Sequence, residues 1–195
     1  MRKSEPILSS PRRIRKKSMA INLRNYLLPL AVSLSLLAAP VDRLQTGDSL
    51  PNLSGQTLSG NTLTLPSAGA AFVLVFSFSH ASAGDSRQWI DHSTAVGAPG
   101  VYQVVELQSA PRFVRGMAVA GIKSATPASQ RDHTIVLYKD EAIWKARLGV
   151  TSDKYAYVLC VDKTGRIRWE GSGPFSESSF AGLKQSIADT AAAAR

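Results

Sequence analysis

The chain has 195 residues, 44% hydrophobic and 19% charged, which allows one domain with extensions rather than two full domains. Its formal net charge of +9 is unevenly placed: residues 1–43 hold nine Lys/Arg against two acids, and the rest of the chain fourteen against twelve. The basicity belongs to the leader, and a near-neutral remainder with no basic cluster excludes a nucleic-acid-binding role.

The leader reads as a targeting or anchoring segment. Arg2 to Arg24 is rich in Arg, Lys and Ser, and an uncharged apolar stretch runs from Tyr26 to Ala39. That stretch suits a signal-peptide core better than a spanning helix, which needs about 20 apolar residues. Met19 is an alternative start, with Arg24 then forming a compact basic region. Leu36 and Leu37 fall where a cleavage site wants a small residue, so an uncleaved, tethered form stays open. The expected organisation is a leader over residues 1–44 and a domain over 45–195. The expected location is a bacterial periplasm or inner membrane, with the mitochondrial inner membrane as alternative. Cys160 is the only cysteine, which excludes an intramolecular disulfide.

Past the leader, Gly47 to Leu65 carries two alternating runs around Ser59-Gly60-Asn61, and the Gly-Asn pair predicts a β-hairpin. Phe72 to Phe78 is apolar with little alternation, the pattern of a strand covered on both faces. Ser79 to Gly84 reads as a loop, and Asp85 or Ser86 as the cap of a helix that turns Trp89, Ile90 and Ser93 to the sheet. Val101 to Leu107 predicts another buried strand. Pro111 to Ile122 predicts a short helix with Phe113, Val114 and Met117 inward, and Ser124 to Gln130 a loop. Thr134 to Tyr138 is a strand, and Glu141 to Leu148 a helix with Ile143, Trp144 and Leu148 at helical spacing, ended by Gly149. Tyr155 to Val161 is a strand, Asp162-Lys-Thr-Gly165 a hairpin turn and Ile167 to Trp169 its second arm. Ser176 opens a last helix to about Ala193, with Phe180, Leu183 and Ile187 as its core stripe. Parallel crossovers followed by an antiparallel hairpin give a mixed sheet with helices on both faces.

From residue 47 to about 190 this order resembles the thioredoxin superfamily in its peroxiredoxin-like variety, and Asp162-Lys-Thr-Gly-Arg-Ile-Arg-Trp169 is the most recognisable piece. The fold implied is α/β: a thioredoxin-like three-layer α/β/α arrangement with a mixed central sheet and an N-terminal β-hairpin. Redox members of the superfamily keep a dithiol where the first core strand meets its helix, whose N-terminus lowers the thiol pKa. The matching positions here are Ala83, Gly84, Asp85 and Ser86, none of which carries sulfur. Redox members also place a cis-proline opposite the dithiol, and Tyr155-Ala156 stand there instead. A narrower resemblance rests on Arg147-Leu-Gly-Val-Thr-Ser-Asp-Lys-Tyr-Ala-Tyr-Val-Leu-Cys-Val-Asp162 and Gly165-Arg-Ile-Arg-Trp-Glu-Gly-Ser-Gly173. These stretches resemble the mitochondrial family of F-type ATP synthase assembly factors, which are thioredoxin-like without a dithiol and help subunit a join the rotor ring. Thr151-Ser152 departs from the asparagine usual there. A small periplasmic family of dithiol-free thioredoxin-like proteins shares the general pattern.

His80, Asp85 and His92 lack the third or fourth convergent ligand that a metal needs, and no cofactor is expected. Ser82 or Ser86 with His80 lacks a nucleophile elbow. Gly84 is a turn glycine, or a place where an anionic group of a bound chain meets a helix N-terminus. By strict alternation Arg166 and Arg168 point one way, and Ile167 with Trp169 the other. The arginines then form a solvated face, or a contact for an acidic partner or lipid phosphate. Tyr155 and Tyr157 share a face beside the former active-site groove, as a floor for a peptide or as packing for the terminal helix. Cys160 reads as a small buried apolar residue. The candidate partner contacts are His80, Arg87, Tyr157, Arg166 and Arg168. The function expected is non-catalytic protein binding, with assembly of the ATP synthase membrane sector implied by the resemblance. The alternatives are an envelope protein of structural or stress role and a one-cysteine peroxidase or oxidoreductase.

Overall fold

A computed structural model describes residues 42–193; the expected signal or anchor segment and its cleavage point lie outside them. Strands β1 (Leu53–Thr57) and β2 (Thr62–Leu65) form the expected hairpin, closed by Gly60 at φ 96°. Strand β3 (Phe72–Ser77) leads through a short 3-10 turn (His80–Ser82) into helix α1 (Ala83–Ala95). Strand β4 (Val101–Glu106), helix α2 (Arg112–Ala125), strand β5 (Thr134–Leu137) and helix α3 (Glu141–Leu148) follow. Strands β6 (Tyr157–Val161) and β7 (Ile167–Ser172) and helix α4 (Glu177–Ala192) complete the order.

All seven strands make one sheet in the order β2-β1-β5-β4-β3-β6-β7. The β3–β4 and β4–β5 pairs are parallel and the others antiparallel, so the sheet is mixed as expected. Alternation along the two central strands sorts the core into two layers. Phe72, Leu74, Phe76 and Leu159 face α3, where Trp144 and Leu148 cover them. Val73, Val75, Val158 and Cys160 face Trp89 of α1 and Leu183 of α4. Each such aliphatic or aromatic side chain removed from water stabilises the fold by roughly 1.5–3 kcal/mol.

The helix ends follow local chemistry. Gly149 adopts the left-handed conformation that closes α3. Ser176 and Ser179 exchange side-chain and backbone bonds in a capping box that starts α4. Asp85 and Ser86 are not caps: Ser82 precedes α1 without a side-chain cap bond, and both residues lie inside the first turn.

Three further expectations fail. Phe113 and Met117 of α2 point to solvent, 86% and 73% exposed, and no side chain of that helix is fully buried. Apolar residues occupy both sides of α2, and its half-buried side is the one carrying Val114, Ala118 and Ile122. Arg115 helps fix that orientation by donating to the carbonyls of Ala110 (2.9 Å) and Gln108 (2.7 Å). Strand β4, expected to be buried throughout, is half-exposed at Gln103 and Val105 because α2 does not close over it. Lastly, Val161 pairs with Ile167 while Cys160 pairs with Trp169, so the register slips at Arg168. The bulge undoes strict alternation: Ile167 enters the α3 layer and Trp169 the α1/α4 layer.

Candidate functional site

The candidate site is the corner where β3 meets α1. Ser79 ends the strand region, and its hydroxyl accepts the Ala81 N–H at 3.1 Å and donates to the Asp153 carbonyl at 2.5 Å. Ala83 and Gly84, the first residues of α1, are exposed. Asp85 is half-buried and its two carboxylate oxygens do separate work. Oδ2 accepts the backbone N–H of Ala156 at 2.7 Å, and Oδ1 accepts that of Phe175 at 2.6 Å. The corner is thereby tied to the segment before β6 and to the segment before α4. Ser86 is fully buried; its hydroxyl donates to the Ser82 carbonyl at 2.9 Å and lies 2.5 Å from the Ser77 hydroxyl. None of Ala83, Gly84, Asp85 and Ser86 carries a thiol.

The lone thiol lies elsewhere. Cys160 is 2% exposed in the middle of β6. Burial pushes its pKa up, opposed by the neighbouring hydroxyls of Ser186 and Thr190. A thiol held in its protonated, covered form is a poor nucleophile.

The other candidate residues fall into separate groups. His80 and Arg87 are exposed and stand with Ala83 along a groove of about 790 Å³ between α1 and α2. Tyr157 is buried, and its hydroxyl accepts the N–H groups of Thr151 and Ser152 at 2.9 and 3.2 Å. Its ring meets Phe78 edge-on at 6.1 Å in the α3 layer, so it neither forms an accessible floor nor packs on the terminal helix. Tyr155 lies outside the strand and is exposed, which removes the shared face. Ala156 is buried at the end of its bond to Asp85.

Arg166 and Arg168 stand at the turn end of the β6–β7 hairpin, about 13 Å of strand away from the corner. Both guanidiniums are engaged within the chain. Arg166 donates to the Gly47 carbonyl at 2.9 Å, and Arg168 to Asp162 at 2.6 Å. Burial works against the charge on Asp162, yet hydrogen bonds from Thr164, Arg166 and Arg168 hold its carboxyl down at about 2. Among the described residues no three potential metal ligands come together.

Two residues carry features that spacing did not single out. Asp85 bonds to residues 71 and 90 positions away, which no local pattern reveals. Glu106, 4% exposed at the end of β4, lines the groove, and its Oε2 has no hydrogen-bond partner. The available signal was a lone acid closing the apolar run Val-Tyr-Gln-Val-Val-Glu.

The fold and this corner define a thioredoxin-like protein without redox cysteines. Similar solved structures include the thioredoxin domain of a thiol-disulfide oxidoreductase from Bacteroides vulgatus. That match has 16% identity and a TM-score of 0.51, and covers 74% of this chain and 99% of that one. A DsbE thiol:disulfide interchange protein from Chlorobium tepidum matches at 18% identity and TM-score 0.54, covering 75% and 98%. A thio-disulfide isomerase from Thermus thermophilus matches at 17% identity and TM-score 0.50, covering 74% and 97%. No curated protein matches the chain. The family model of the ATP10 protein matches residues 43–189, and the chain belongs to that family.

Proposed function

We propose that this protein is a non-catalytic assembly chaperone for the membrane sector of ATP synthase, held near a membrane by its N-terminal segment. Membership of the ATP10 protein family supports the assembly role. The observation that carries the non-catalytic part is the Asp85 bracket: two backbone N–H groups are bonded to a carboxylate where redox relatives keep sulfur. A corner fixed in this way retains the shape of the scaffold without covalent turnover. The buried Cys160 offers no substitute thiol. Binding a partner is what remains for the fold to do.

The test is affinity purification of the tagged full chain from gently solubilised membranes, alongside a deletion strain. The expected result is co-purification of a membrane subunit of ATP synthase and a reduced amount of assembled complex in the deletion. Recovery of no such subunit together with normal complex levels would overturn the proposal.

A further inference from the structure

The groove between α1 and α2 is a feature of about 790 Å³ that the corner chemistry leaves without a role. It runs over the half-exposed side of β4 and round the carboxyl ends of β3 and β4, where Phe78, Glu106 and Asp153 line it. Its α2 wall is Ala118, Gly121, Ile122 and Ala125. A Cβ added at Gly121 would meet nothing within 4 Å, so the space is open right up to the helix backbone. A volume of about 790 Å³ lies in the range of built ligand sites and accommodates several side chains.

Two independent observations bear on what the groove can hold. First, α2 is a 14-residue helix with Gly116 and Gly121 in its interior and no fully buried side chain. A helix of that length is marginal on propensity alone, and each interior glycine costs about 1 kcal/mol against alanine. A partner against its groove side would supply the missing packing. Second, Glu106 Oε1 accepts the Gln108 N–H at 2.7 Å, while Oε2 is buried and unpaired. A buried acceptor without a partner costs roughly 1–3 kcal/mol, more if charged, and a donor entering the groove removes that cost.

Charge decides the donor's identity. The lining carries Asp91, Glu106 and Asp153 against Arg87 alone, apart from His80. Asp153 is already paired with Lys145, which sits between it and Glu141 at 2.8 Å each, so Glu106 and Asp91 are the acids left to meet a cation. Resting on the assembly-chaperone reading, we infer that the groove binds an apolar polypeptide segment bearing one lysine or arginine, whose cationic head reaches Glu106 Oε2.

The test uses the full chain and two labelled eight-residue Leu/Ala peptides, one with a central lysine and one with glutamine there, read by fluorescence anisotropy. The lysine peptide is expected to bind about tenfold more tightly, the range of one charge-assisted hydrogen bond. Glu106→Gln, which keeps an acceptor for Gln108, should abolish the preference while leaving glutamine-peptide affinity unchanged. Ala118→Trp, on the groove side of α2, should weaken both peptides. Equal affinities for the two peptides, no binding of either, or equal displacement by hexylamine would overturn the inference. Co-purification separates the two proposals. If both variants still recover the ATP synthase subunit that the wild type recovers, the groove inference fails and the chaperone role stands. If the wild type recovers none, the chaperone role fails whatever the peptides do.

Discussion

Asp85 and Ala156, 71 residues apart, are joined by a 2.7 Å hydrogen bond from the backbone N–H of Ala156 to the Asp85 carboxylate. The same carboxylate takes the Phe175 N–H on its other oxygen, so one side chain satisfies two backbone donors from different segments. Leaving a buried donor unpaired costs roughly 1–3 kcal/mol. Asp85→Ala should therefore destabilise the protein by about 2–4 kcal/mol in urea titration. Ala156→Pro removes one donor and should cost less than Asp85→Ala. The double variant should be less destabilised than the sum, because both changes break the same bond. Strict additivity would refute the bracket.

Trp169 is seated by two glycines. A Cβ at Gly182 would stand 2.8 Å from the indole Nε1, and one at Gly171 would overlap the far edge of the ring. Gly182→Ala should destabilise by about 1–3 kcal/mol through overpacking, despite the better helix propensity of alanine. With Trp169→Leu already in place, the same substitution should stabilise the chain by up to about 1 kcal/mol. The reversal of sign, read by thermal or urea unfolding, distinguishes packing from backbone effects.

Glu106 and Asp162 give opposite pH dependences. Burial, reinforced by Glu141 and Asp140 and opposed by the N–H groups of Gln108 and Leu107, pushes the Glu106 carboxyl from 4.5 up to about 7. Its folded-state pKa is raised, so its contribution is complete below 4.5 and is lost as pH rises through about 7. Relative to Glu106→Gln, the wild type should lose on the order of 2 kcal/mol between pH 5 and pH 8. Asp162 is lowered to about 2, so its contribution is present above 3.8 and is lost as pH falls through about 2. Asp162→Asn should be destabilising at pH 6, with the gap to wild type closing toward pH 2. Denaturant titration at several pH values checks both slopes.

Cys160 should react with a maleimide at least a hundredfold more slowly in the native chain than in urea, because it is covered and its thiol is pushed up. Cys160→Ala should leave partner binding intact. Rapid native labelling, or thiol-dependent turnover lost in that variant, would restore the one-cysteine enzyme.

Much of this architecture was legible in the residues. Continuous apolar runs such as Phe72–Phe78 and Tyr157–Val161 announce strands covered on both faces, and Gly149 and Ser176 mark helix ends by local geometry. The face of α2 was not legible, since Phe113 and Met117 on one side compete with Val114, Ala118 and Ile122 on the other. Hydrophobic spacing gives a direction only when one side is polar. The bulge at Arg168 was equally hidden, because a one-residue slip leaves no trace in composition and reassigns Trp169 to the opposite layer. Asp85 looked like a helix cap because local rules see only neighbours, whereas its partners arrive through the tertiary fold.

The Asp85–Ala156 bond also restricts what can stand at either position. A proline at 156 would delete the N–H that Asp85 holds, and a cysteine at 85 would strand both donors, so either substitution weakens the protein. Two of the positions that thiol chemistry would draw on are thus already committed to holding three segments together.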